Sequence, residues 1–350
     1  MFENKKILIT GGTGSLGTAL TKRLLNLNVD TVRIYSRNES KQILMESEIL
    51  DDRIRYLIGD VRDLPRLEKA LEGIDIVFHA AALKHVPVIE YNPFEAIKTN
   101  VLGTQNLIDA CLKENVETVV GIGTDKAVSP LNTYGATKLL MEKLLTTAQN
   151  YLDIEKYRTK FLAVRYGNVL GSSGSVVPKF VKQIKAKEKI TITDPNMTRF
   201  SITMDEALDF ILESARIGKG TEVFVPKLKA YSIADLKKSL FELLENTGEQ
   251  IISLRPGEKM HETLINSDEI KYAWEIGDKY VLFNSAKQED AITSSYPYGY
   301  TAPRKIDRSS NYPDIKKIQI TEKYSSDMVE KITPDELKIK ITKLGLLEKE

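Results

Sequence analysis

The sequence predicts an α/β protein built on a doubly wound parallel sheet, with a smaller C-terminal lobe. Three observations lead there. Short apolar runs alternate with helical patterns over the first 165 residues, as strands covered on both faces do. The first run leads straight into a glycine-rich loop that opens a helix. Later runs end in small or polar residues, at the strand ends where such sheets bind ligands.

The elements follow in order. Residues 6–10 (Lys-Ile-Leu-Ile-Thr) form the first strand, and Gly11-Gly-Thr-Gly-Ser-Leu-Gly17 follows directly. A helix then places Leu20, Leu24 and Leu25 on one face. A second strand at 31–35 ends at Ser36, Arg37 and Asn38, and a third at 54–58 ends at Gly59 and Asp60, before Val61. A fourth, at 74–79, ends in Ala80, Ala81 and Ala82. A long helix over 93–113 precedes a strand at 118–122, which delivers Thr124, Asp125 and Lys126. A helix over 134–152 and a sixth strand at 161–165 complete this Rossmann unit.

From Tyr166 the rhythm changes, and Gly167, Gly171 and Gly174 interrupt a polar stretch. This reads as a loop-rich substrate lobe over 166–199 and 226–284, while a helix at 204–217 and a strand at 222–225 return to the main sheet. The dinucleotide domain is thus 1–165, with 200–225 rejoining it. Residues 285–318 are rich in Ser, Tyr, Pro and Asp and show no period. They suit an extended arm across the body or a neighbouring subunit, or a flexible linker. A final helix is expected over 334–347.

Bulk composition excludes several classes. The 350 residues carry 42% hydrophobic and 28% charged side chains, ordinary values for a soluble enzyme. Fifty basic residues against forty-nine acidic ones, a net charge of +1, argue against a large nucleic-acid surface. Cys111 is the one cysteine, so no internal disulfide forms, and a buried structural thiol is expected. Three histidines (His79, His85 and His261) and no cysteine cluster argue against a metal site. No secretory leader is expected, and no apolar run approaches the ~20 residues that span a bilayer. The protein is expected to be cytoplasmic, without nucleic-acid or membrane partners.

Gly11, Gly14 and Gly17, between a strand and a helix, let the backbone approach a pyrophosphate at a helix N-terminus; Thr13, Ser15 and Leu16 complete the loop. At the second strand's end an acidic residue would bond a free ribose 2′-hydroxyl. Ser36, Arg37 and Asn38 instead offer donors and a positive charge, so NADP is expected before NAD. The alternative for Arg37 is a solvated surface charge. Asp60 can bond an adenine amino group, and Ala80–Ala82 leave room for the cofactor or simply pack.

Tyr134 and Lys138 are four apart and share a helix face. A lysine ammonium near a phenol favours the phenolate, which can take the proton of a sugar hydroxyl as hydride leaves its carbon. Thr124 can hold the same oxygen. Asp125 and Lys126, an acid beside a base, are what an elimination needs and a plain dehydrogenase does not; the alternative is an ion pair that shapes the loop.

Together these residues resemble the extended short-chain dehydrogenase/reductase superfamily. Within it the likeness is greatest to the soluble inverting UDP-N-acetylglucosamine 4,6-dehydratases (5-epimerising). It rests on Thr124-Asp-Lys-Ala127, Pro130, Asn132 and Tyr134-Gly-Ala-Thr-Lys138, with support from Ala80-Ala-Ala-Leu-Lys-His-Val86, Arg165-Tyr-Gly-Asn168 and Arg255-Pro-Gly-Glu-Lys-Met-His-Glu262. It runs from the glycine loop to about residue 284. Related epimerases usually carry small hydroxyl residues and alanine in place of Asp125-Lys126, and deoxythymidine-diphosphoglucose dehydratases carry Asp-Glu. Membrane-anchored retaining dehydratases generally have methionine at the position of Tyr134.

The resemblance implies oxidation of the sugar at C4 by NADP, with Tyr134 as base. Neutral Lys126 then removes the C5 proton while protonated Asp125 donates to the departing 6-hydroxyl. Hydride return to C6 and reprotonation of C5 from the other face give the inverted 4-keto-6-deoxy sugar. UDP-N-acetylglucosamine is the implied partner, and a homo-oligomer is expected. Lys84, Asn168, Lys179, Arg199 and Arg255 are the implied substrate contacts, with Glu258 on the ribose and His85 near the pocket; Lys84 also lies toward the cofactor. His79 is expected to be a packed strand residue. The competing readings are a UDP-sugar 4-epimerase, a retaining 4,6-dehydratase and a non-catalytic NADP-binding regulator.

Overall fold

The computed structural model describes residues 1–150, 156–172, 174–254, 257–283 and 312–347. Arg255 and most of the arm expected over 285–318 lie outside the described residues.

Six strands follow the expected rhythm: β1 (Lys6–Thr10), β2 (Thr31–Ser36), β3 (Ile54–Ile58), β4 (Ile76–His79), β5 (Thr118–Ile122) and β6 (Lys160–Val164). They pair in parallel in the order β3-β2-β1-β4-β5-β6. The chain leaves β1 toward β2 on one side and resumes with β4 on the other. The crevice between β1 and β4 is therefore the switch point at which such sheets bind ligands. Ile7, Leu8 and Ile9 are all fully buried, as central strands covered on both faces require.

The later strands are β7 (Ile190–Ile192), β8 (Thr198–Phe200), β9 (Val223–Pro226), β10 (Ala230–Ser232), β11 (Glu249–Ile251), β12 (Thr263–Ile265), β13 (Ala273–Ile276), β14 (Lys279–Leu282), β15 (Lys316–Lys317) and β16 (Tyr324–Ser325). β9 lies parallel to β6, and β14, β13 and β15 continue the sheet antiparallel. Among the described residues the sheet has ten strands, and β8–β10, β7–β11 and β12–β16 form separate two-stranded pairs.

Apolar layers cover both sheet faces. The helices Ser15–Leu25 and Met204–Ile217 close one face with Leu20, Leu24, Leu208 and Ile211. The helices Leu64–Leu71, Gly103–Lys113 and Thr133–Thr147 close the other with Leu67, Leu107, Met141 and Leu145. Cys111 is buried in this second layer, where burial pushes its thiol pKa well up. A third core under the lobe packs Phe180, Ile192 and Leu236 against Leu337 and Ile341 of the helix Pro334–Thr342.

Three expectations need correction. The long helix over 93–113 is not uniform: Pro93–Ala96 leads into a π-helical stretch, Ile97–Leu102, before Gly103–Lys113. Such wide turns concentrate at functional sites, and this one has a local use. Asn100 Oδ1 accepts from the Leu83 N–H at 2.8 Å, and its Nδ2 donates to the Leu83 carbonyl at 3.0 Å, so the helix clamps the 80–84 loop. Residues 316–317, read as part of a periodless arm, form β15 against β13. A two-residue edge strand with both side chains exposed leaves no alternation to read. The last helix stops at Thr342 rather than 347, although Leu344, Leu346 and Leu347 still pack on the lobe core.

Candidate active site

The glycine loop is shaped for close approach. Gly11 has φ +67°, and a Cβ there would lie 2.8 Å from the Ala81 backbone; one on Gly17 would lie 2.5 Å from the Gly12 backbone. Gly14 caps the helix Ser15–Leu25 without a side-chain hydrogen bond, which leaves its first N–H groups for an anion. A cavity of about 570 Å³ runs from this loop past residues 36–38, 60–61 and 80–84 to Tyr134 and Lys138. A nicotinamide dinucleotide fits a backbone cradle that any side chain would fill.

At the ribose end, Thr13 Oγ1 donates to Ser36 Oγ at 3.2 Å, and Gln42 Nε2 donates to Ser36 Oγ at 3.0 Å. Arg37 reaches Asp60 at 3.6 Å with half its side chain exposed, and Lys41 lines the same cavity. Asp60 is held mainly by Arg62, at 2.9 and 2.7 Å. Burial alone would raise the Asp60 pKa, but Arg62 and Arg37 together lower it. Neither Lys41 nor Arg62 stands out in the sequence, because each is one of fifty basic residues. Only the fold turns Lys41 toward the cavity and sets Arg62 on Asp60 at its wall.

The reactive segment starts where β5 ends. Thr124 caps a short 3-10 turn, Asp125–Ala127, and its Oγ1 donates to Asp125 Oδ1 at 2.7 Å. Asp125 is 1% exposed. Lys126 Nζ donates to Asp125 Oδ1 at 3.1 Å and to Asn168 Oδ1 at 2.9 Å, and lies 3.7 Å from Glu262 Oε1. Burial would lower the Lys126 pKa, but the charges of Asp125 and Glu262 outweigh it and raise it well above the ordinary lysine value. The neutral Lys126 expected from the sequence is therefore not the resting form, since two buried carboxylates hold the ammonium.

A second correction concerns Lys138. Its Nζ donates to the Ile122 carbonyl at 2.5 Å and reaches Met141 Sδ at 3.0 Å. Burial pushes its pKa down to about 7, against a smaller opposing effect of Glu142. Burial raises the Tyr134 phenol, and Asp125 adds to this; the cation that lowers it is Lys126, aided by a hydrogen bond with Thr124. The charge that favours the phenolate thus comes from Lys126 rather than from Lys138. His79 packs as expected, with Nδ1 2.8 Å from Thr10 Oγ1 and Nε2 3.0 Å from Thr104 Oγ1. Burial, with a smaller effect of Lys138, drops its pKa to about 3, so it stays neutral.

Beside the dinucleotide cavity lies one of about 380 Å³, lined by Lys126, Lys179, Arg199, Glu258, Lys259 and Glu262. Lys84, His85 and Asn168 line both cavities. Thr124, Tyr134 and Lys138 face the first and Lys126 faces the second, so the segment 124–138 straddles the junction. Two of the expected substrate contacts have other duties here. Asn168 holds the Lys126 ammonium, and Arg199, 7% exposed, donates to the carbonyls of Thr198 and Met260 at 2.8 and 3.1 Å. Glu258 Oε2 accepts from Thr193 Oγ1 at 3.4 Å. Arg165, part of a quoted motif, is fully buried between Glu142 and Glu269 and serves the scaffold.

Glu262 was not anticipated as a site residue. It is 4% exposed, its backbone N–H donates to Ser326 Oγ at 2.9 Å, and its carbonyl accepts from the Ser326 N–H at 2.8 Å. The return of the chain beside β12, which no local pattern announces, brings Ser326 there. Among the described residues no helix is long and apolar enough to cross a membrane.

With this geometry in place, three comparisons are informative. The polysaccharide biosynthesis protein family matches residues 7–284. The inverting UDP-N-acetylglucosamine 4,6-dehydratase of Campylobacter jejuni (serotype O:23/36, strain 81-176) is 46% identical over 292 residues, covering 83% of this chain and 86% of the relative. A UDP-glucose 4-epimerase of Rickettsia bellii is 36% identical over 355 residues, covering 100% of this chain and 99% of the relative. The crystal structure of Pen from Bacillus thuringiensis, 39% identical, superposes with a TM-score of 0.86 over 99% of this chain and 100% of that one.

Proposed function

The chain belongs to the polysaccharide biosynthesis protein family, with the extended short-chain dehydrogenase/reductase fold, and we propose that it is an inverting UDP-N-acetylglucosamine 4,6-dehydratase using NADP. The observation that carries this reading is the cluster of Lys126 with the buried carboxyls of Asp125 and Glu262, directly after Thr124 and close enough for Lys126 to act on the Tyr134 phenol. A 4-epimerase transfers hydride from C4 and back, and needs an alcohol base but no second acid–base group. An elimination needs both.

The dinucleotide, when bound, supplies a hydride acceptor for C4 and a hydride donor for C6. Tyr134, with Thr124, takes the proton of the 4-hydroxyl. The resulting ketone acidifies the C5 hydrogen, which Lys126 removes once it has lost its own proton. A carboxyl of the cluster gives a proton to the departing 6-hydroxyl, Asp125 being the candidate read from the sequence. Lys84, Lys179 and Glu258 line the route by which the nucleotide end of the substrate enters, and Arg37 with Lys41 supports a 2′-phosphate. The names of the relatives support both dehydration and epimerisation; the cluster favours dehydration.

The test is an NMR and mass time course with UDP-N-acetylglucosamine in D₂O. The expected product has lost one water, gained deuterium at C5 and inverted there. A product of unchanged mass with altered C4 stereochemistry would establish the epimerase instead. Retained C5 configuration would assign the retaining dehydration.

A further inference from the structure

The two carboxylates around Lys126 are not equivalent. Asp125 Oδ1 accepts hydrogen bonds from Thr124 and from Lys126. Glu262 Oε1 stands 3.7 Å from Lys126 Nζ and 3.8 Å from Arg199 Nε, both beyond hydrogen-bond length. Its Oε2, like Asp125 Oδ2, is buried with no hydrogen-bond partner, so of the two carboxyls only Glu262 lacks a donor on both oxygens. Ser326 fixes its backbone from behind, so the carboxyl is held in the cavity wall without a donor of its own. An acceptor in that position is completed by taking a proton.

We propose that Glu262 is the proton partner of Lys126: it takes the ammonium proton, leaving Lys126 the neutral base for C5, and yields that proton to the departing 6-hydroxyl, while Asp125 remains the hydrogen-bond acceptor of Thr124 and Lys126. The proposal rests on the dehydratase reading and moves the acid role from Asp125 to Glu262. First the two side chains close from 3.7 Å to hydrogen-bond length, and an N–H bond of Lys126 breaks as an O–H bond of Glu262 forms. Lys126 then takes the C5 proton, the C5–H electron pair becomes the C5–C6 double bond, and the C6–O pair leaves on oxygen. That oxygen takes the Glu262 proton and departs as water, restoring the Lys126 ammonium and the Glu262 carboxylate. The groups facing Glu262 are Lys126, Asp125, Arg199 and Lys259; burial raises its pKa most, Asp125 adds to this, and the three cations oppose it without reversing the net rise.

The experiment compares full-length wild type, Glu262→Gln and Glu262→Asp, each loaded with NADP and mixed with UDP-N-acetylglucosamine. Absorbance of the reduced nicotinamide and product mass are followed together across pH. In Glu262→Gln the nicotinamide is expected to become reduced on mixing, while water loss slows about a hundredfold or more with KM little changed. The alkaline limb of kcat, where the acid form is lost, should vanish, and Glu262→Asp should restore part of both rate and limb. Water loss by Glu262→Gln within about threefold of wild type would overturn the proposal. So would an equal fall in nicotinamide reduction, which marks a merely structural role. If the wild type itself loses no water, the functional reading fails instead.

Discussion

Replacing Lys126 by methionine keeps the aliphatic stem and removes the ammonium surrounded by Asp125, Asn168 and Glu262. The two halves of the proposed reaction should respond differently. Removal of a general base slows its step by about 10²–10⁴-fold, roughly 3–5 kcal/mol of barrier. The oxidation at C4 uses Tyr134 and Thr124, which remain. Its cost is indirect: Lys126 is the cation that lowers the Tyr134 phenol, so the phenolate becomes harder to form, by about tenfold for each pKa unit lost. Rapid mixing of the NADP-loaded variant with UDP-N-acetylglucosamine separates the two. Reduced nicotinamide should accumulate and stay, while product mass shows no loss of water. Water loss within about tenfold of wild type would remove Lys126 as the C5 base. Loss of nicotinamide reduction to the same degree would show that the cluster serves the redox step alone.

Other perturbations test other parts of the site. Gly11→Ala puts a Cβ at φ +67° and 2.8 Å from the Ala81 backbone; dinucleotide affinity by fluorescence titration should fall more than about tenfold, with about 1–3 kcal/mol of strain, and unchanged affinity would contradict the cradle. Arg37→Ser should weaken NADP relative to NAD by about tenfold or more, the worth of a charge-assisted hydrogen bond, and an unchanged ratio of the two Kd values would argue for NAD. Lys138 has a folded pKa near 7 against 10.5 when free. Between those values the unfolded chain binds the extra proton, so stability should rise with pH across that window. Lys138→Met should flatten the rise in a Tm-against-pH series; an unchanged slope would show that Lys138 is not the group responsible.

Legibility in the sequence followed the range of the interactions. The glycine loop, the strand ends and the Tyr134–Lys138 spacing are local patterns, and the fold brings them to the expected crevice. The doubly wound sheet was legible because buried parallel strands are written as continuous apolar runs. What escaped depends on partners distant in sequence. Glu262 lies 136 positions after Lys126, and its charge adds to that of the adjacent Asp125 in raising the Lys126 pKa. The hydrogen bond of Lys138 to the Ile122 carbonyl likewise needed side-chain geometry. The π-helical stretch around Asn100 was hidden because an inserted residue leaves the apolar composition of a helix intact.

If Glu262 acts as proposed, the Ser326 clamp on it changes what counts as the minimal catalyst. The match to the family as such closes at residue 284, although individual relatives align over the whole chain; Ser326 lies beyond 284 and grips the Glu262 backbone in both directions. β16 lies on β12 at the same place, and the Ser326 hydroxyl also bonds Thr198. A protein cut after residue 284 would retain the glycine loop, the tyrosine and lysine of the helix and the whole 124–126 segment. It would lack the backstop that holds the Glu262 backbone beside Lys126, the proposed acid and base. Segment-swap or truncation variants of this tail would therefore be expected to alter turnover and its pH profile before they alter dinucleotide affinity, making the last part of the chain a regulator of proton traffic by position alone.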